Sequence, residues 1–306
     1  QYKIHLFFMF LAPIVASFYY PLSNYAAKLL IDYLSAHQNF TLKDITYPIA
    51  IFIIADIAMI SFWRISNFCA LRSLPKIQIA INYQAFQIIQ KQSYRFFSDN
   101  LSGKIASKIN SLSDLFRKLF TMIHLSIINQ VGVIIISICF LFITHYLIAV
   151  TIIIWIILFS IFTLIFSKKI NILVTKHSKQ KHITYGIITD TINNIINIIN
   201  FAAFKKENKL IDKNLQKCRK LEEQSWKIEF TLHIIGSIIS TGLFIIILFL
   251  TINLKQKNLI TIGDFIIIFT LSNLIIENAW QLTFNLQQLL KDFSEFKETF
   301  SILKVK

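Results

Sequence analysis

Long stretches without charge alternate with long basic stretches along this chain. Between Lys3 and Lys28 there is no Asp, Glu, Lys or Arg, and the 49 residues from Leu119 to Ser167 contain none either. Phe230 to Leu254 is a third such run. A membrane crossing takes about 20 apolar residues, so Leu119–Ser167 predicts two spans, with the turn at Thr144-His145-Tyr146. Six spans follow in all, over about 6–34, 45–65, 119–143, 146–167, 230–252 and 262–290. Pro13 and Pro21 interrupt the first, which a spanning helix tolerates when its neighbours satisfy the freed backbone. The two long polar segments, 66–118 and 168–229, keep a helical period. Ile105, Ile109, Leu112, Phe116 and Leu119 recur at steps of four and three, and Ile188, Ile192, Ile195 and Ile199 oppose Asn193, Asn197 and Asn200. These segments are too long for plain connections between helices. A helix from Gly103 to Ile143 would be about 60 Å long, roughly twice the bilayer core. The pattern predicts an all-α membrane protein whose six long helices run on beyond the bilayer.

Composition agrees: 55% of the 306 residues are hydrophobic and the mean hydropathy is +0.60, too apolar for an ordinary soluble domain. The net charge of +15 has a topological cause. The segments Arg64–Lys118 and Lys168–Glu229 hold 9 and 13 Lys and Arg, whereas the three opposite loops hold only Lys43, Lys255 and Lys257. By the positive-inside rule the long segments and both termini are cytoplasmic. That leaves no basic face to be explained by nucleic acid. Cys69, Cys139 and Cys218 have neither metal-like nor disulfide-like spacing. The chain starts at Gln1 without the layout of a signal peptide, and reads as a piece of something longer.

The stretch F-F-S-D-N-L-S-G-K-I-A-S-K-I at 96–109 resembles the first intracellular elbow of the transmembrane half of ABC exporters. A-A-F-K-K-E-N at 202–208 resembles the second elbow, and I-T-I-G-D-F at 260–265 the start of the sixth span. All three stand in the family's order, and together they cover essentially the whole chain. Asn110 is followed by Ser111 where the family often has an Asn-Asp pair. The resemblance implies that the elbows, Phe96–Gly103 and Phe204–Asp212, are coupling helices seated in grooves of a nucleotide-binding domain. The residues it assigns to coupling are Phe96, Phe97, Ser98, Asp99, Asn100, Gly103, Phe204, Lys205, Lys206, Glu207 and Asn208. It further implies a second transmembrane half, identical or not, with the second elbow reaching across to it. The expected location is a bacterial inner (plasma) membrane, as an integral multi-pass protein among lipids.

Catalytic chemistry is missing from the segment. No G-x-x-x-x-G-K-[ST] loop occurs, and all six glycines are isolated. L-S-G-K at 101–104 is too short for the ABC signature loop. ATP and Mg2+ would therefore belong to an ATPase domain fused after Lys306 or supplied by another chain. F-K-E-T-F-S-I-L-K at 296–304 resembles the family's linker into a fused domain. His177 and His182 lie among lysines, so no metal site is expected, and no cofactor is expected in this segment. A charge in hydrocarbon costs several kcal/mol unless it faces a cavity or a partner. Glu277, Asp56 and Arg64 are thus the candidate cavity residues, the alternative being structural polarity between helices. Lys28 and Asp32, four apart, read as a local ion pair. Trp63, Trp226 and Tyr146 read as interfacial anchors. The expected function is the membrane half of an ATP-driven exporter; the competing reading is a helical channel or scaffold without ATP coupling.

Overall fold

The structure is a computed structural model that describes residues 3–37, 41–99 and 102–301. Its described elements are helices: α1 (Lys3–Ala36), α2 (Thr46–Gln90), α3 (Tyr94–Asp99), α4 (Ser102–Thr121), a π-helical turn (Met122–Ile127), α5 (Ile128–Thr144), α6 (Tyr146–Asn193), α7 (Ile195–Asn200), α8 (Phe204–Gln256) and α9 (Ile262–Ser301). Six helical stretches are long and apolar enough to cross a membrane. At 1.5 Å per residue, α2, α6 and α8 measure about 68, 72 and 80 Å, well beyond a hydrocarbon core of about 30 Å. His145 alone separates α5 from α6, in an extended conformation. The chain divides into two compact units, Gln1–Ile154 with Leu243–Lys306, and Trp155–Gly242.

In the first unit α1 packs on α2, α5 and α9, while α4 packs on α2 and α9. α9 lies deepest: Ile267, Ile268, Leu271 and Ile275 are fully buried along one face. Helices in lipid associate through close packing, so small residues mark their contacts. Gly132 of α5 sits so close to α1 that a Cβ would lie 2.5 Å from Ser17 Oγ. Gly263 of α9 is equally close but meets backbone, since a Cβ there would lie 2.5 Å from the Lys28 carbonyl oxygen and 2.7 Å from the Asp32 side chain.

The start of α9 explains the T-I-G-D sequence. The Thr261 backbone N–H donates to Asp264 Oδ2 at 2.9 Å, and the Asp264 N–H donates back to Thr261 Oγ1 at 3.0 Å. This reciprocal cap satisfies two amides that a helix start otherwise leaves open. Gly263 N–H donates to Asp32 Oδ1 at 2.8 Å, and Lys28 Nζ lies 2.6 Å from Asp264 Oδ1. Lys28 therefore pairs with α9 and not with Asp32 one turn away. The expected local ion pair is replaced by two links between α1 and α9, because the helix start offers Asp32 an amide and Lys28 a carboxylate.

Pro13 within α1 cannot donate to the carbonyl of Met9, four residues earlier. The imidazole of His124 lies within hydrogen-bonding reach of the Met9 backbone. His124 Nε2 is 3.1 Å from Ser66 Oγ of α2, and the ring stacks on Phe120 and meets Phe10 and Trp63 edge-on. This buried histidine sits in the π-helical turn, where the Ile128 N–H reaches back to the Ile123 carbonyl. It joins α1, α2 and the α4–α5 rod at one point.

In the second unit, α6 and α8 meet through polar contacts. Gln180 Nε2 donates to Asn214 Oδ1 at 3.1 Å, and Thr184 Oγ1 lies 3.4 Å from Cys218 Sγ. The isoleucine face expected to run unbroken from Ile188 to Ile199 is interrupted: α6 ends at Asn193 and α7 begins at Ile195. Asn194 ends α6 by aiming both its backbone N–H and its side-chain amide at the Asp190 carbonyl, at 3.0 and 2.9 Å.

Candidate functional site

The first elbow turns where α2 ends at Gln90. Ser93 then opens the short helix α3, because the Phe96 N–H bonds both the Ser93 carbonyl, at 3.0 Å, and its hydroxyl, at 3.4 Å. The aromatic pair that follows is split. Phe96 is 6% exposed and packs with Ile89 of α2 and Ile105 of α4, Ile109 lying against them. Phe97 meets the Phe96 ring edge-on and is 43% exposed. Phe96 thus closes the elbow's own core. Phe97 remains the outward aromatic. Gly103 lies within the first turn of α4 and not at the bend. Asn100 lies outside the described residues, as do the side chains of Ser98 and Asp99.

The second elbow falls earlier than its expected position. Its turn comprises α7 and Phe201–Ala203, while Phe204, Lys205, Lys206, Glu207 and Asn208 form the opening turns of α8. Ala202 takes the left-handed conformation with φ 48°, and the Ala203 N–H bonds the Ile198 carbonyl at 3.0 Å, closing the end of α7. Ile198 is buried, whereas Phe201 is 81% exposed, alongside exposed Ile196 and Ile199. The elbow expected at Phe204–Asp212 included none of these apolar residues, of which Ile199 was read as part of a helical face. The signal was available in N-I-I-N-I-I-N-F, apolar residues punctuated by helix-ending asparagines outside any span.

The intramembrane candidates are separate. Asp56 is half-buried on α2, within electrostatic and hydrogen-bonding reach of the Tyr19 hydroxyl on α1. Tyr19, not Asp56, helps to line an apolar cavity of about 330 Å³ with Val15, Phe18, Leu22, Ile51 and Ile54 among others. Arg64 is exposed. Glu277 is also exposed, on the face of α9 opposite Ile275, Ile276 and Ala279, and accepts a hydrogen bond from Gln281 Nε2 at 3.2 Å. Among the described residues, no hydrogen bond or ion pair joins Asp56, Arg64 and Glu277 to one another. No group of His, Cys, Asp and Glu among those residues could hold a metal ion.

Six apolar helices long enough to span a bilayer, joined outside it by capped helical elbows, define a polytopic membrane domain of transporter type. The chain belongs to the family described as the ABC transporter transmembrane region, which it matches over residues 6–278. A solved structure of a bacterial Atm1-family ABC exporter with ATP bound shares the fold, with a TM-score of 0.79 at 13% identity. The match covers 99% of this chain and 54% of that one, so the chain spans about half that exporter's length. No curated protein matches the chain.

Proposed function

We propose that this chain is the membrane-spanning half of an ATP-driven exporter in a bacterial inner membrane. It forms the cargo pathway and receives force from a nucleotide-binding domain, fused after Lys306 or held as a separate chain, where ATP and Mg2+ bind. A second transmembrane half completes the pathway, and both termini with the elbows lie in the cytoplasm. Glu277, Asp56 and Arg64 are assigned to the cavity side of the helices, since an ionised group facing lipid would be costly.

The observation that carries the proposal is the outward aromatic on each elbow, Phe97 and Phe201. An exposed aromatic at a helical tip, held at a fixed angle by a cap on one side and a packed core on the other, suits insertion into a partner's pocket. A channel or scaffold without a soluble motor gives these residues nothing to dock against. Phe204, Lys205, Lys206 and Asn208 are exposed on the first turns of α8 and Glu207 is half-buried there, and we assign them to the rim of such a contact.

The test follows a fluorophore on Lys257→Cys in the complete transporter. Its signal should respond to ATP and Mg2+. Phe97→Ala and Phe201→Ala should keep ATP turnover yet lose most of that response. An unchanged response in both variants would refute the coupling role.

A further inference from the structure

The polar face of α9 has a direction. Asn285 Nδ2 donates to Gln130 Oε1 of α5 at 3.1 Å, Gln130 Nε2 donates to Gln281 Oε1 at 3.2 Å, and Gln281 Nε2 donates to Glu277 Oε1 at 3.2 Å. An amide oxygen and nitrogen are alike in shape, so such a chain could in principle run either way. Its end decides: a carboxylate only accepts, so the Gln281 amine must face Glu277, and each amide behind it is then oriented in turn. Every link therefore delivers a donor towards the same carboxylate. In a medium of low dielectric, aligned amides polarise one another and strengthen the chain. Three amides are arranged to hold a negative charge in the membrane, about 22 Å from the outer start of α9 at 1.5 Å per residue.

Two aromatics stand on the same helical face. Trp280 and Phe284 follow Glu277 by three and seven residues, and their rings stack with centroids 6.0 Å apart and planes 18° from parallel. Both are half-buried, while Glu277 is exposed. A fixed carboxylate beside aromatic faces attracts a cation through charge and through the ring quadrupoles together. An anion would meet repulsion from the carboxylate and from the rings' negative faces.

The geometry points to a lipophilic cation as the cargo class: an apolar body carrying an amine, guanidinium or other onium charge that Glu277 recognises. This rests on reading the exposed face of α9 as part of the transport pathway. The amides act as positioning groups, and Glu277 is the specificity-determining residue.

The probes are tetraphenylphosphonium and tetraphenylborate, which share a shape and differ in charge. Equilibrium binding of each is measured to the complete transporter in nanodiscs of zwitterionic lipid, for wild type and for Glu277→Gln. Partition into lipid is common to both proteins and cancels in the comparison. Expected is at least a tenfold loss of tetraphenylphosphonium affinity in Glu277→Gln, with tetraphenylborate unchanged or tighter, and wild-type affinity in Glu277→Asp. An equal effect on both ions would overturn the inference. So would no effect on the cation together with weakened dimers, which would place a partner's cation against Glu277. The measurement needs no ATP, so failure of ATP coupling would leave its result readable.

Discussion

At the scale of single residues, the structure replaces assumed local pairs with links between distant positions. Pro13 and His124 are the clearest pair. The proline leaves the Met9 carbonyl without its helical donor and the imidazole lies within hydrogen-bonding reach of that backbone, so each residue's value should depend on the other. His124→Leu should destabilise by about 1–3 kcal/mol, the penalty for a buried carbonyl left without a donor. In a Pro13→Ala background that loss should shrink, because the N–H of the substituted alanine restores the helical bond. A double-mutant cycle on thermal unfolding in detergent reads the coupling, and strictly additive losses would contradict it. Gly263 is bound to its place by a different constraint. A Cβ would be 2.5 Å from the Lys28 carbonyl oxygen, and backbone cannot move aside as a flexible side chain does. Gly263→Ala should therefore cost about 1–3 kcal/mol, with the last turns of α1 and the first turn of α9 forced apart. An unchanged melting temperature would count against the close contact.

At the scale of elements, the elbows separate what the sequence discloses from what it hides. The charge-free runs were legible because a charge in hydrocarbon is so unfavourable that its absence over 20 or more residues has few other causes. The start of α9 was legible only through the resemblance of I-T-I-G-D-F, whereas the Thr261–Asp264 cap and the close contact of Gly263 came with the structure. The break at Asn194 was hidden, because the isoleucine spacing continues through it and one side-chain amide decides the outcome. Ala202 gave no turn signal either; at φ 48° it occupies a conformation that favours glycine. Ala202→Gly should relieve that strain and stabilise the second elbow by about 1 kcal/mol, visible as slower amide exchange in α7, and faster exchange would refute the assignment. Phe96 and Phe97, adjacent in sequence, could not be told apart until the packing against Ile89 and Ile105 was known. Phe96→Ala should lower stability by about 3 kcal/mol, while Phe97→Ala should leave unfolding nearly unchanged. Equal losses would mean that the pair packs inward as a unit.

At the scale of the whole molecule, burial is uneven among the spans. In the most apolar window of α9, 56% is buried inside the chain, against 11% for α2 and 22% for α8. The faces left over must meet lipid or a second copy, since no solvent in the hydrocarbon region would accept them. The second transmembrane half proposed above would cover part of these faces. The orientation proposed for the chain rests on charge. Of the 25 Lys and Arg between Arg64 and Glu229 or in Lys43, Lys255 and Lys257, 22 lie in the two long segments and three in the opposite loops. The segments that carry them also carry the elbows, so one orientation satisfies the positive-inside rule and places both elbows where a soluble ATPase could reach them. The opposite orientation would expose the elbow aromatics outside the cell and translocate 22 cations. With Cys69, Cys139 and Cys218 replaced by serine, a membrane-impermeant maleimide added to intact cells should label Lys257→Cys and miss Gln180→Cys. Permeabilised cells should label both, which separates inaccessibility from burial. Labelling of Gln180→Cys alone in intact cells would invert the topology and take the elbows away from any cytoplasmic motor.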